Sequence, residues 1–227
     1  MSERWQKRIE LAVAVVVLGL GSATAGEKGQ GLSAEEALKR LEEGNARFVA
    51  DTPQHPHEAR PWRSRLEKGQ QPFAVILGCS DSRVPPELVF DQRFGDLFVV
   101  RVAGNVVDTD VTASIEYAVD HLGTRLILVL GHSHCGAVTA ALDLLGDPDG
   151  EPAEIVSLLY RMEPAVMGLP KQLTREQRIE QAVSRNVQRS VQRLSRVPDL
   201  RRKMKAGTIR IVGAVFDMHT GQVELVK

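Results

Sequence analysis

The hydrophobic residues in the middle of the chain form short unbroken runs, separated by stretches in which apolar residues recur every three or four positions. Runs at 73–78, 97–102 and 126–131 each have the length of one strand. Strands that lack a polar face are typical of a parallel sheet covered by helices on both sides. Two further strands are predicted at 208–216 and 222–226.

Helical spacing marks most of the remaining chain. Ser33 and Glu36 have the spacing of a capping box and open a predicted helix at about 34–50. Residues 51–62 contain three prolines and predict an extended linker. Further helices are predicted at 109–122, from about 135 to 145, and in the region 152–205, which is predicted to be helical. The sequence therefore predicts an α/β fold, a mostly parallel β-sheet flanked by helices, with an N-terminal helical arm and linker over 26–62.

The first 25 residues have the pattern of a secretory signal. Three basic residues lie among the first eight, an apolar run follows at 11–20, and small residues lead to Ala25. We expect cleavage after Ala25 and a periplasmic or secreted protein. The alternative is an anchor that stays attached, but the run is shorter than the about 20 apolar residues of a membrane span.

The charge balance and the cysteine count of the chain argue against some classes of protein. The chain has 227 residues, with 29 Lys and Arg against 29 Asp and Glu, so no basic excess favours nucleic acid. The arginines between 175 and 193 lie mostly off an apolar helical stripe and no aromatic residue interleaves them, which predicts a solvated helix with some salt bridges. Two cysteines exclude a disulfide-dense scaffold.

Cysteine and histidine stand directly after two of the apolar runs. Cys79 follows 73–78, and His132 and Cys135 follow 126–131. The carboxyl ends of parallel strands meet at one edge of a sheet, so we expect these three side chains to converge. Two thiolates and an imidazole suit Zn²⁺, and three protein ligands leave open the fourth position that catalytic zinc sites use. A disulfide between the two cysteines is the alternative interpretation.

An acidic and a basic residue follow the first cysteine, in the order Cys79-x-Asp81-x-Arg83. Alternation along an extended chain predicts the three side chains on one side. Asp81 would then orient a zinc-bound hydroxide, and Arg83 would keep the carboxylate ionised. Asp81 could instead bind zinc as a fourth ligand and close the site, or the pair could be an ordinary turn. Because two thiolates cancel the zinc charge, we expect a bound-water pKa above about 7 and activity that rises towards alkaline pH.

Two alternative functions are consistent with these residues. Gly131-His-Ser133 begins like a nucleophile elbow, and Asp217 and His219 follow in an order that a serine hydrolase could use. The fifth elbow position holds Cys135, where the turn needs a very small residue. A non-catalytic zinc-binding module is a further possibility, and it differs in having no fourth position that opens.

The two motifs together, Cys79-x-Asp81-x-Arg83 and His132-x-x-Cys135, resemble those of the β-class carbonic anhydrases, and the likeness covers about 33–226. The resemblance implies reversible hydration of carbon dioxide to bicarbonate and a proton by a zinc-dependent catalytic domain, here at 63–227. It implies one zinc per subunit and a homodimer or dimer of dimers. The charge balance and the lack of a second long apolar segment predict no nucleic acid and no membrane after signal cleavage. Carbon disulfide or carbonyl sulfide hydrolysis on the same fold is the alternative.

The resemblance also assigns substrate-binding positions. Gln70 falls where family members have a glutamine that hydrogen-bonds the substrate. Phe98, Ala103 and Tyr117 fall where they have an apolar or aromatic wall around carbon dioxide. For Phe98 and Tyr117, packing alone is the simpler interpretation.

One departure from the family pattern concerns inhibition. Some members bind an inhibitory bicarbonate with a tryptophan, an arginine and a tyrosine. The matching positions here are Ile76, Arg101 and Phe216, so only the arginine is kept. We therefore expect this inhibitory site to be absent.

Overall fold

The structure is a computed structural model and describes residues 31–54, 60–144 and 150–226. Within these ranges no helix combines the length and the apolar character needed to cross a bilayer. The predicted signal at 1–25 lies outside the described residues. The division into an arm at 26–62 and a catalytic domain at 63–227 remains a prediction.

Strands and helices alternate between residues 74 and 143 of the described chain, and further helices precede and follow this region. The strands are β1 (Ala74–Gly78), β2 (Leu97–Arg101), β3 (Leu126–His132), β4 (Arg210–Phe216) and β5 (Val223–Leu225). The helices are α1 (Ala34–Val49), α2 (Arg60–Leu66), α3 (Pro86–Val89), α4 (Thr109–His121), α5 (Gly136–Asp143), α6 (Ala153–Val166), α7 (Arg175–Arg196) and α8 (Pro198–Lys205). A single 3₁₀ turn, Ala103–Asn105, follows β2.

The strands form one sheet in the order β2-β1-β3-β4-β5. The first four are parallel, and β5 pairs antiparallel with β4. Gly78, the last residue of β1, lies opposite Arg101 on one side and Leu130 on the other. The predicted α/β fold with a mostly parallel sheet is confirmed, and the carboxyl ends of β1, β2 and β3 lie at the same edge.

Helix α1 covers one face of the sheet. Its capping box is formed: the Glu36 amide donates to Ser33 Oγ at 3.2 Å, and the Ser33 amide donates to the Glu36 carboxylate at 2.8 Å. Leu41 and its apolar neighbours are buried against the strands. At Gly44 the helix passes so close to the chain after α3 that a Cβ would lie 1.8 Å from the carbonyl oxygen of Phe90.

Helices α4 and α7 cover the opposite face. Ile115 of α4 and Val187 of α7 are fully buried in the same hydrophobic cluster. Gly131 and Gly213 allow α7 to lie directly on β3 and β4, because a Cβ at either position would come within 2.6 Å of a Val187 methyl group. Burial of both faces explains why the strands read as unbroken apolar runs.

The prediction of an extended linker over 51–62 is wrong at its end, where Arg60 begins α2. Pro61 does not prevent a helix there, because the first backbone N–H groups of a helix have no helical partner in any case. Trp62 fixes the short helix by donating from Nε1 to the Phe94 carbonyl at 3.1 Å. Residues 55–59 of the predicted linker are outside the described ranges.

Candidate metal centre

Three elements bring the predicted ligands together. Cys79 directly follows β1, His132 ends β3, and Cys135 is the residue before α5. Because β1 and β3 are parallel neighbours, their ends meet, and Cys79, His132 and Cys135 are 5%, 0% and 1% exposed. The sulfur and nitrogen atoms of the three side chains all lie within 4.8 Å of one another.

The two thiols are free and their sulfur atoms are 4.0 Å apart. A disulfide would hold them at about 2.05 Å, so the disulfide alternative is wrong for this structure. Two sulfurs on a tetrahedral zinc with bonds of about 2.3 Å lie about 3.8 Å apart, close to the separation found here. The thiol positions therefore fit zinc without rearrangement.

The histidine is oriented for the same purpose. Nδ1 of His132 lies 2.9 Å from the Ser133 carbonyl oxygen, which can only accept a hydrogen bond, so Nδ1 carries the proton. Nε2 is buried and has no hydrogen-bond partner in the described part of the chain. A buried nitrogen lone pair without a partner is costly unless a ligand takes it. A backbone contact that fixes the other ring nitrogen is typical of metal-binding histidines.

The local charges favour a cation between the thiols. The contact with Cys135, together with the Gly104 amide at 3.3 Å, lowers the pKa of Cys79 to about 4 despite burial. The same contact and burial raise the pKa of Cys135. The pair thus holds one proton and one negative charge; Zn²⁺ would displace that proton, and the two resulting thiolates would balance its charge.

Asp81 and Arg83 form a bidentate pair at the edge of this cluster. Arg83 Nε donates to Asp81 Oδ1 at 2.9 Å and Nη2 donates to Oδ2 at 2.7 Å. These bonds hold the pKa of Asp81 far below its usual range. Asp81 Oδ2 lies 3.8 Å from Nε2 of His132, so a carboxylate that belongs to a salt bridge also borders the metal-binding space.

The backbone between these residues differs from the prediction. The side chains of Cys79 and Asp81 both lie close to His132, as alternation predicts. Arg83 reaches Asp81 through a turn, in which the Val84 amide donates to the Asp81 carbonyl at 3.1 Å. The expectation of one extended stretch from Cys79 to Arg83 is therefore wrong in its second half. The turn itself brings the guanidinium back over the carboxylate.

Sequence reasoning missed the structural role of Arg101. Its Nε donates to the Cys79 carbonyl at 2.8 Å, and its Nη2 donates to the Asp81 carbonyl at 2.5 Å. Arg101 thereby fixes the backbone of a metal ligand and of the adjacent carboxylate. The available signal was its position at the end of a third apolar run, since β2 pairs with β1 so that Arg101 faces Gly78.

Of the predicted substrate wall, only Ala103 lies beside the cluster. It belongs to the 3₁₀ turn whose Gly104 amide contacts Cys79. Phe98 pairs with Val75, about 13 Å along the strand from Cys79. Its ring packs on Tyr117 with centroids 6.4 Å apart, and Tyr117 is 48% exposed. These two rings therefore form a surface patch rather than a wall of the site in the same chain.

Gln70 lies at the opposite end of the sheet. It lines a cleft with Arg40 and Asp96, ahead of β1, whereas Cys79 follows that strand. The strand alone separates the two positions by about 16 Å. Within one chain, the structure does not bring Gln70 to the metal-binding cluster.

The serine hydrolase hypothesis is not supported by the positions of its proposed catalytic residues. Ser133 Oγ accepts a hydrogen bond from the Met218 amide at 2.9 Å. The Asp217 carboxylate accepts from the backbone amides of His219 and Thr220, at 2.7 and 2.8 Å, which makes it part of a turn. These residues shape the loop after β4 instead of activating a nucleophile.

Two of the residues at the inhibitory-site positions are part of the core. Ile76 is 0% and Phe216 is 4% exposed, and both belong to the hydrophobic cluster under α1. The third, Arg101, is held by the two carbonyls described above. The absence of an inhibitory bicarbonate site remains a prediction.

Fold and site together define an α/β metalloenzyme with a zinc centre of two cysteines and one histidine. A family profile described as carbonic anhydrase matches residues 74–223. Carbonic anhydrase 2 of Mycobacterium tuberculosis (strain ATCC 25618 / H37Rv) is 44% identical over 190 residues, covering 83% of this chain and 91% of the relative. The carbonic anhydrase of Pseudomonas aeruginosa is 35% identical over 199 residues, covering 82% and 86%.

Solved structures give the same result. The structure of the β-carbonic anhydrase CcaA matches with a TM-score of 0.71 and 30% identity, covering 84% of this chain and 95% of that one. One of two tetrameric β-carbonic anhydrases from Sordaria macrospora matches with a TM-score of 0.64 and 27% identity, covering 85% and 97%. The chain belongs to the β-carbonic anhydrase family, and the predictions of family, enzyme class and zinc are confirmed.

Proposed function

We propose that the chain catalyses the reversible hydration of carbon dioxide to bicarbonate and a proton, with Asp81 and Arg83 as its catalytic pair. The observation that carries the proposal is the bidentate Asp81–Arg83 pair beside Nε2 of His132. A zinc ion held by Cys79, His132 and Cys135 would supply a Lewis acid that makes water nucleophilic, with activity expected to rise towards alkaline pH because the two thiolates cancel the zinc charge.

The chain's own groups then have separate tasks. The Asp81 carboxylate is ionised and can only accept hydrogen bonds, so it orients the O–H of the attacking water. Arg83 occupies both carboxylate oxygens and holds Asp81 as an acceptor next to the metal ligands rather than as a fourth ligand. Ala103, beside Cys79, offers an apolar contact for carbon dioxide. Gln70, Phe98 and Tyr117 complete the substrate pocket from another copy of the chain.

The catalytic pair is tested by Asp81→Asn. We expect kcat/KM for carbon dioxide hydration, measured by stopped flow, to fall by about 10²- to 10⁴-fold, because the amide presents a donor where an acceptor is needed. Zinc content, measured by mass spectrometry, should stay at one per chain. Asp110→Asn makes the same change on the exposed first turn of α4 and should leave the rate unchanged.

Each outcome has a definite meaning. A zinc-loaded Asp81→Asn variant with the wild-type rate would remove Asp81 from the mechanism. A zinc-loaded wild type without hydration activity would favour a non-catalytic module, and turnover of carbonyl sulfide in place of carbon dioxide would favour the alternative hydrolase.

We also propose a homodimer or dimer of dimers. Exposed aromatic surface at Tyr117 and the position of β2 at the edge of the described sheet support an interface there. Light scattering on the purified protein gives the mass of the assembly. A monomer that is fully active would contradict the proposal.

We propose further that residues 1–25 act as a secretory signal, so that the mature protein begins after Ala25 and is periplasmic or secreted. The support is the charged, apolar and small-residue order of the sequence. Cell fractionation followed by N-terminal sequencing is the test. An intact N-terminus in the cytoplasmic fraction would contradict it.

A further inference from the structure

Four arginines form a cluster away from the metal centre, between α6 and α7. Arg189, Arg193 and Arg196 recur at helical spacing along α7, which places them on one face. Arg161 joins them from α6, which packs against α7. The four side chains line one open cavity of about 250 Å³.

The charge of this cavity is unbalanced. Among the residues that the structure describes, none of the four arginines forms a salt bridge, and no acidic residue lines the cavity. By contrast, Arg175 on the same helix pairs with Asp143 at 2.5 Å. Cations collected in one concave site repel each other unless an anion enters, and a concave surface of one sign concentrates counter-ions.

The wall of the cavity is preformed. Asn186 and Ser190 line it and are only 3% and 5% exposed. Asn186 Nδ2 donates to the Gly104 carbonyl at 2.7 Å, and Ser190 Oγ donates to the Asn105 carbonyl at 3.0 Å. These buried bonds fix α7 against the turn after β2, so the arginines project from a rigid support.

We propose that this cavity is a binding site for a multiply charged phosphate anion, such as inorganic phosphate or pyrophosphate. Guanidinium groups bind phosphate oxygens in pairs, and several of them match an anion that carries more than one charge. A singly charged anion such as bicarbonate would leave most of the cluster unneutralised. None of the described residues that line the cavity is aromatic, so they give a nucleobase nothing to stack on.

Isothermal titration of the zinc-loaded protein with phosphate and with pyrophosphate, at low ionic strength, tests the proposal. We expect pyrophosphate to bind more tightly than phosphate, and both to weaken as salt is added. The double variant Arg189→Gln/Arg193→Gln should lose at least about tenfold in affinity, because each lost charged hydrogen bond is worth that much or more. Arg161→Gln, on the other helix, should weaken binding in the same direction.

Arg175→Gln is the matched control, since it removes one positive charge from α7 away from the cavity and should bind as the wild type does. Equal binding by the wild type and the double variant would overturn the proposal by assigning the anion to the metal centre or elsewhere. Absence of binding by a folded, zinc-loaded wild type would overturn it too. That result, combined with weaker self-association of the double variant, would assign the arginines to a contact between copies.

Discussion

Single residues at the metal centre are joined by a network that starts from Arg101. The Arg101 guanidinium donates hydrogen bonds to the backbone carbonyls of Cys79 and Asp81. One side chain thus positions a metal ligand and the carboxylate proposed to be catalytic. The motif spacing predicted the ligands because each follows an apolar strand. It could not predict this contact, because a guanidinium that bonds to backbone carbonyls leaves no pattern in the residues that it contacts.

Arg101→Gln tests this positioning role. The shorter side chain leaves two backbone carbonyls without their charged donor, and the loop from Cys79 to Asp81 loses its anchor. We expect zinc affinity or kcat/KM to fall about 10- to 100-fold, which is typical for residues that orient metal ligands. Competition with a chelator measures the affinity, and stopped flow measures the rate.

Arg210→Gln is the control for this prediction, because Arg210 begins β4, at the other end of the sheet, and makes no side-chain contact of this kind in the described residues. Unchanged zinc affinity and rate in Arg101→Gln would mean that the loop holds its shape without the arginine.

At the scale of elements, the three apolar runs predicted β1, β2 and β3 to within one residue. β1 and β3 are buried along their whole length, so no polar position obscures their limits. The short helices α2 and α3 were missed. Both contain proline near their start, where the sequence signal for a turn and that for a helix N-terminus are the same. Tertiary contacts decide whether such a segment forms a turn or a helix, as the hydrogen bond from Trp62 to the Phe94 carbonyl does for α2.

The close approach of α1 to the chain after α3 gives a prediction on stability. Gly44→Ala raises the helix propensity of α1, yet its Cβ would meet the Phe90 carbonyl oxygen at 1.8 Å. Backbone cannot move aside as a side chain does, so we expect a loss of about 1–3 kcal/mol in the free energy of unfolding, measured in urea. Gly136→Ala, where a Cβ meets nothing within 4 Å, is the control and should not destabilise. A Gly44→Ala protein as stable as the wild type would show that α1 does not dock this closely.

The capping box of α1 makes the stability of that helix depend on pH. Bonds from the Ser33 side chain and amide lower the pKa of Glu36 from its ordinary 4.5. A carboxyl group whose pKa is lower in the folded state stabilises the fold above its unfolded pKa, and this contribution is lost as the pH falls through the folded value. We therefore expect Glu36→Gln to lower Tm at pH 7 and to have a progressively smaller effect below about pH 4.5.

Glu43→Gln is the comparison for this titration, because Glu43 is an exposed residue of the same helix with only a 3.8 Å contact to Lys39. Its effect on Tm should be small at every pH, as for most surface ion pairs. A Glu36→Gln effect that stays constant down to pH 3 would contradict the role of the ionised carboxylate.

At the scale of the whole molecule, a single chain contains the zinc ligands and the Asp81–Arg83 pair but not the complete predicted substrate pocket. Gln70 precedes β1, and Phe98, in the edge strand β2, packs on Tyr117 of α4. The place of each substrate-binding residue within its own chain follows from the direction of its strand, which the sequence predicts. Its place relative to the metal centre of a second chain depends on surfaces that meet only in the assembly.

The last prediction uses two defective chains to locate Gln70 in the assembly. Gln70→Ala and Asp81→Asn are each expected to reduce activity in homo-oligomers. If Gln70 belongs to the site of the partner, a mixed dimer has one intact site. That site combines the metal centre and Asp81 of the Gln70→Ala chain with the Gln70 of the Asp81→Asn chain. Co-expression with two affinity tags, followed by sequential purification, isolates that dimer, and stopped flow should give about half of the wild-type rate. If Gln70 acted within its own chain, both sites would be damaged and no activity would return.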